Sequence, residues 1–366
     1  MAPYSIERFQ PPLLRGVALL RQALWGKSLQ ANMAYLQWMY GQNPYINEPP
    51  LFVALHQGVP VGMRGTLGTR WKCQRFDAEH TLPSLTDTGI APDHRDRGLY
   101  AELTNWALEE YAVRGYSHVL NMTPNSENFI ASTLSTGGFK SFGEHGTLVR
   151  SNRSKTARAT RVERRLLQRL GIHSARSPFI RPRVMRRTRG QHARGISISA
   201  SREPRPVAMA ELVARLGVDE RIHHTRDSPY FAWRYRNPLA FHYFVYAKRG
   251  PALVGYAVLQ SPRSGGAVDI VDLEGIDDAV RHALIHAIAG QGFATLKIWS
   301  STLAADMVSD LTQHGFSTAT NPKRYAERLI LRPLTGDSAD SRWSIDGVDL
   351  RRLANWKLCA AIATTY

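Results

Sequence analysis

Residues 86–122 read TDTGIAPDHRDRGLYAELTNWALEEYAVRGYSHVLNM. The run begins like a strand, passes through a loop holding two arginines, an aspartate and a glycine, and continues like a helix. A strand that leads through a glycine-bearing loop into a helix N-terminus is a ready anion site. The first helical N–H groups lack intrahelical partners, and the helix dipole favours negative charge there. Gly98 lets the backbone come close to a ligand. Arg95 and Arg97 add charge and forked donors suited to phosphate. The expectation is a phosphate or pyrophosphate seated between Arg95 and Tyr100. A solvated, charged connection between strand and helix has the same look, so the loop alone leaves both readings open.

The chain of 366 residues has room for two or three domains, and 43% apolar content is ordinary for a globular protein. No apolar run approaches the roughly 18 residues of a membrane span. The apolar N-terminal stretch is cut by Arg21 and lacks a cleavage site, so no signal peptide is expected. Cys73 and Cys359 are the only cysteines; they form neither a disulfide framework nor a zinc site, which suits a reducing cytoplasm. The histidines are scattered, and "IHHT" (222–225) lacks metal-ligand spacing, so no metal is expected. Ser84 and Ser126 lack the turn context of a nucleophile elbow.

The net charge of +17 is unevenly spread: residues 150–194 hold fifteen Arg or Lys and one acid, Glu163, and so supply +14. This basic segment divides two stretches that resemble each other. "YLQWMYGQNP" (35–44) echoes "YFAWRYRNP" (230–238), and each is followed by two apolar runs around a turn. Each half then has a helix-like stretch ending in Gly and an aromatic, a strand-like run, and Leu-x-x-x-Gly-Phe. Gly115 to Gly138 and Gly292 to Gly315 both span 23 residues. The spacing implies a duplicated domain of order β-α-α-β-β-β-α-β-α-β, a mixed sheet flanked by helices. The expected units are 1–150, a basic linker with a short helix at 151–194, a second domain at 195–333, and a tail at 334–366.

The segment 86–139 resembles the acetyl-CoA-binding core of the GNAT N-acetyltransferase superfamily. That core has a strand ending in apolar-x-Pro, here Ile90-Ala91-Pro92, and then Arg/Gln-x-x-Gly-x-Gly/Ala, here Arg95-Asp96-Arg97-Gly98-Leu99-Tyr100. A helix, a strand and an Asn-bearing helix closing on Gly-Phe follow, with Asn125, Asn128, Gly138 and Phe139 in the last region. The resemblance implies an α/β (α+β) chain of two tandem GNAT-like mixed sheets flanked by helices. It further implies acetyl-CoA as co-substrate, held by Ile90, residues 95–100, Asn125 and Asn128. The pantetheine arm would enter where the "LTDTGIAP" and "SHVLNM" strands diverge. Exposed backbone amides there would polarise the thioester carbonyl.

Two positions depart from the family pattern. Tyr100 stands where Gly or Ala closes the phosphate loop, so its side chain must turn away from the pyrophosphate or stack on the cofactor. Leu134 stands where many members carry a Tyr general acid, leaving thiolate departure to another group, to water, or to no acid. For the base, Asp87 lies on the strand expected to border the acetyl group, with His80 and Glu79 in reserve. Asp87 capping a loop, or pairing with an arginine such as Arg95, is the competing reading.

In the second half, "VDIVDLEGIDDAVRHALIHAIAG" fills the same slot without the phosphate loop. Glu274, Asp277 and Asp278 would repel a pyrophosphate. One active half is therefore expected, acetylating the amine of a small molecule. By analogy with members of this layout, an amino sugar of a surface polysaccharide is one candidate acceptor. The alternatives are an aminoacyl-transferring relative of peptidoglycan-bridge enzymes, and an adaptor with vestigial domains whose basic arm binds nucleic acid or membrane. For residues 150–194 a solvated connector, an anionic membrane surface and nucleic acid are the three readings.

Overall fold

The chain's structure, a computed structural model, describes residues 4–46, 50–122, 133–135, 138–152, 195–262, 267–319, 327–335 and 341–363. Asn125, Asn128 and the basic segment from Arg153 to Arg194 lie outside the described residues.

The first half begins with strand β1 (Tyr4–Arg8) and helices α1 (Leu14–Trp25) and α2 (Leu29–Gly41). Ser28 starts α2 by accepting the N–H of Ala31 at 3.2 Å. Strands β2 (Leu51–His56), β3 (Val59–Lys72) and β4 (His80–Ile90) form an antiparallel meander. Helix α3 (Leu99–Val113) and strand β5 (His118–Asn121) follow, then β6 (Lys140–His145) and β7 (Thr147–Ser151). The consecutive buried residues of β2, β3 and β5 reflect a sheet covered on both faces. Leu99, Leu103, Ala107 and Leu108 of α3 pack on one face; Val17, Leu20, Tyr35 and Leu36 of α1 and α2 pack on the other.

The second half repeats the order: β8 (Ile196–Ser201), α4 (Pro206–Leu216), β9 (Ile222–His224), α5 (Ser228–Arg234), β10 (Ala240–Arg249), β11 (Ala252–Pro262), β12 (Val268–Gly275), α6 (Asp278–Ala289), β13 (Thr295–Trp299), α7 (Ala305–Gln313), β14 (Ser317–Thr318) and β15 (Glu327–Pro333). The short β9 is the departure from the pattern of the first half: it pairs with β3 and with β18 (Trp356–Lys357), in the sheet of the other half.

The two sheets exchange their last strands. β7 leaves the first half to pair with β13 and β14 in the second sheet. β15 leaves the second half to sit between β5 and β6 in the first, with Ile330 opposite Asn121 and Leu331 opposite Leu120. Helices α1, α2, α4 and α5 lie in the shared middle, where the largest core cluster draws on both halves. The C-terminal segment joins this core: Trp343, in the 3₁₀ turn just before the small hairpin β16 (Ser344–Ile345) and β17 (Val348–Asp349), is buried, as are Trp356 and Ala361. No described helix is long and apolar enough to cross a membrane.

Candidate active site

At the N-terminus of α3 the backbone is arranged for an anion. Pro92–His94 forms one 3₁₀ turn, and then Asp96 and Gly98 take left-handed conformations at φ +58° and +76°. Gly98 is the N-cap, and no side chain caps the helix. The N–H groups of Arg97, Gly98 and Leu99 have no acceptor among the described residues. A Cβ added at Gly98 would meet nothing within 4 Å, so it is the left-handed backbone and not crowding that calls for glycine here. Arg95 and Arg97 are exposed beside it; Arg95 Nε donates to the Ile90 carbonyl at 3.2 Å and Arg97 Nη1 to Tyr4 Oη at 3.5 Å. Asp87 does pair with an arginine, as the competing reading had it, but the partner is Arg21 and not Arg95.

Tyr100 turns inward from this loop. Its hydroxyl lies 2.8 Å from Thr133 Oγ1, and its ring receives the Arg64 guanidinium 5.5 Å from the centroid. Arg64 is fully buried on β3 and also donates to Thr88 Oγ1. Desolvation holds its pKa below the ordinary guanidinium value, with Tyr100 opposing the shift. Tyr100 thus turns its side chain away from the N–H groups of residues 97–99.

β4 and β5 run parallel but share one register pair, Ser84 opposite Leu120, while β4 continues to Ile90. The strands therefore part toward the α3 N-terminus. Within that stretch the register of β4 on β3 shifts between Arg64–Thr88 and Gly65–Thr86, leaving Asp87 as a bulged residue at φ +42°. The bulge turns Asp87 toward α1 and α2. Its Oδ2 accepts from Tyr35 Oη and Tyr40 Oη, both at 2.7 Å, and pairs with Arg21 Nη1 at 3.1 Å. All three contacts fall on Oδ2; Oδ1 has no hydrogen-bond partner among the described residues. Gly65 makes the arrangement possible, because a Cβ there would lie 1.9 Å from Tyr40 Oη.

His80 is not brought to this gap. It lies on the closed side of Ser84, about 20 Å along the strand from Asp87, with Nε2 3.2 Å from Asp346 Oδ2. Glu79 accepts from Thr225 Oγ1 at 3.1 Å. Leu134 lies in a helical turn beside Thr133.

No family model matches the chain, and no curated protein matches it in sequence. Solved structures do match. A GCN5-related N-acetyltransferase from Anabaena variabilis ATCC 29413 is 13% identical at a TM-score of 0.59, over 91% of this chain and 73% of that one. One from Kribbella flavida is 15% identical at 0.59, over 91% and 72%. A tandem GNAT protein from the clavulanic acid biosynthesis pathway is 10% identical at 0.50, over 92% and 100%. The fold is that of a tandem GNAT protein.

Within this tandem GNAT fold the two halves treat the same helix terminus differently. In the second half Asp277 is the N-cap of α6, its side chain accepting the Val280 N–H at 2.9 Å while Arg249 pairs with it at 2.8 Å. The anion position is filled by the chain's own carboxylate. Glu274 is turned inward, where Arg226 bridges it to Asp272 with both N–O distances at 2.5 Å and Lys357 approaches at 3.2 Å. Burial would raise the Glu274 pKa, but Arg226 and Lys357 outweigh it and hold it at about 2. β12 of this half also packs against the 3₁₀ turn Ala360–Ile362.

Sequence reasoning missed Arg21, Tyr35, Tyr40 and Arg64. Tyr35 and Tyr40 open and close the "YLQWMY" landmark, and Arg21 interrupts an otherwise apolar helix face. A buried arginine in such a helix needs an anion, which was the available signal.

Proposed function

We propose that this chain is an acetyl-CoA-dependent N-acetyltransferase acting on a small-molecule amine through its first half. The observation that carries the reading is the uncapped α3 N-terminus at Gly98, set where β4 and β5 part. It fits a pyrophosphate: N–H donors without acceptors among the described residues, two flanking arginines, and a glycine whose left-handed backbone shapes the turn. The bound cofactor would supply an acetyl thioester as electrophile. The N–H groups of residues 97–99 would seat the diphosphate, with Arg95 and Arg97 balancing its charge. Backbone donors of the bulged β4 would face the acyl oxygen.

An amine acceptor arrives mostly protonated at neutral pH and must lose a proton before attack. We assign that proton to Asp87 Oδ1. Arg21 and the two phenols anchor the carboxylate through Oδ2, which fixes the direction of the other oxygen. His80, tied to Asp346 away from the gap, is set aside. With Leu134 in place of a phenol, the thiolate departs without that acid; a thiol's low pKa permits this.

Acetyl-CoA turnover against a panel of amines and amino sugars tests the reading. Asp87→Asn should keep CoA affinity and lower turnover by roughly 10²–10⁴-fold, with less loss at high pH where the amine is already neutral. A rate within a few-fold of the parent would remove Asp87 from proton transfer.

A further inference from the structure

On the outer face of the second half, two helices each present a pair of ligand residues one turn apart. Helix α6 carries His282 and His286; α7 carries Asp310, with His314 at its C-cap. The packing of α6 against α7 brings the pairs together. His282 Nδ1 lies 2.5 Å from Asp310 Oδ1, and the His282 and His314 rings are 4.8 Å apart at 72°. The ligand atoms of His282, Asp310 and His314 all lie within 4.8 Å of one another. His286 is exposed, with its ring 5.6 Å from that of His314.

We propose that these residues form a binding site for a divalent transition metal of the zinc class. Three imidazoles and one carboxylate match borderline ions such as Zn²⁺ or Co²⁺ and suit Mg²⁺ or Ca²⁺ poorly. The i, i+4 spacing places both members of each pair on one helix face. His314 is held against the same carboxylate. Its Nδ1 sits 2.9 Å from the Asp310 carbonyl and 3.5 Å from Asp310 Oδ1. Arg150 fixes the backbone beneath it, donating from Nε to the His314 carbonyl at 2.8 Å. His282, more than half exposed, and His286, also exposed, have room to change rotamer toward a common ion. A bound ion would clamp α6 to α7, far from the α3 terminus in sequence and in the other half.

The test uses the tag-free full chain. Zn²⁺ titrated by calorimetry should bind at one equivalent, Co²⁺ should give the visible absorption of a four-coordinate site, and Mg²⁺ should not compete. The melting temperature should rise with Zn²⁺. His282→Ala with His314→Ala should abolish the Co²⁺ spectrum and the thermal shift; His282→Ala alone, at an exposed position, should weaken binding by at least tenfold and guards against a folding defect in the pair. Absence of saturable Zn²⁺ binding in the parent, or Co²⁺ absorption that survives in the folded double variant, would overturn the site.

Discussion

The indole N–H of Trp38 donates to the carbonyl of Trp233, and that of Trp233 donates to the carbonyl of Trp38, both at 2.8 Å. The rings stack with centroids 5.1 Å apart, 12° from parallel. Each tryptophan comes from the matching landmark of its half, so the pair lies on the local pseudo-twofold axis between α2 and α5. Trp38→Ala should cost about 3–5 kcal/mol, and Trp233→Ala a similar amount. The double variant should lose less than the sum, because each single change already leaves the partner unpaired. Additive losses in denaturant melts would show that the reciprocal bonds carry no coupling.

The exchange of β7 and β15 leads to a second expectation. Neither sheet is complete without a strand from the other half. Calorimetric unfolding should therefore show one cooperative transition. Two separated transitions would mean that the halves are independent.

Arg21 is almost fully buried, and Asp87 supplies its counter-charge. Asp87→Asn should destabilise the chain by about 3 kcal/mol, since a lone buried guanidinium remains. Adding Arg21→Met should restore most of that stability. Gly65→Ala should push Tyr40 off Asp87, and its effect on melting should resemble that of Tyr40→Phe or exceed it. A Gly65→Ala protein as stable as the parent would contradict the packing described for Tyr40.

Acid should destabilise the protein before carboxylates titrate. Burial, helped by Arg234, pushes His242 down to about 3, and burial also lowers His118, His223 and His224. The unfolded chain therefore binds more protons than the folded one below about pH 6.5. Stability should be full above that pH and fall as pH drops, by up to about 1.4 kcal/mol per unit for each such histidine. Glu274 adds a loss below its unfolded value near 4.3, continuing to about pH 2. His242→Gln should flatten the profile between pH 6 and 4; an unchanged slope would assign the acid sensitivity elsewhere.

The duplicated order of elements and the glycine turn into the α3 N-terminus were legible because both are local. Strand-to-helix punctuation at Gly98 and the equal spacing of Gly115–Gly138 and Gly292–Gly315 lie in the sequence itself. The strand exchange was not legible. "GTLVRS" and "ERLILRP" read as ordinary strands, and no short-range signal says which sheet a strand will join. Asp87 stood out as a candidate, but its anchor Arg21 lies 66 residues earlier and was read only as an interruption in an apolar run. The bulge that turns Asp87 toward it depends on the register between β3 and β4. The cluster of His282, Asp310 and His314 was hidden for the same reason: each i, i+4 pair is visible alone, and only the packing of α6 on α7 joins them.

One half carries the proposed diphosphate site, and the other has filled the matching helix terminus with Asp277. Acetyl-CoA titrated into the chain by calorimetry measures this directly. One site per chain is expected, unchanged by Asp277→Ala, and weakened at least tenfold by Gly98→Val, which is about 1.4 kcal/mol. Two sites per chain, or parental affinity in Gly98→Val, would contradict it.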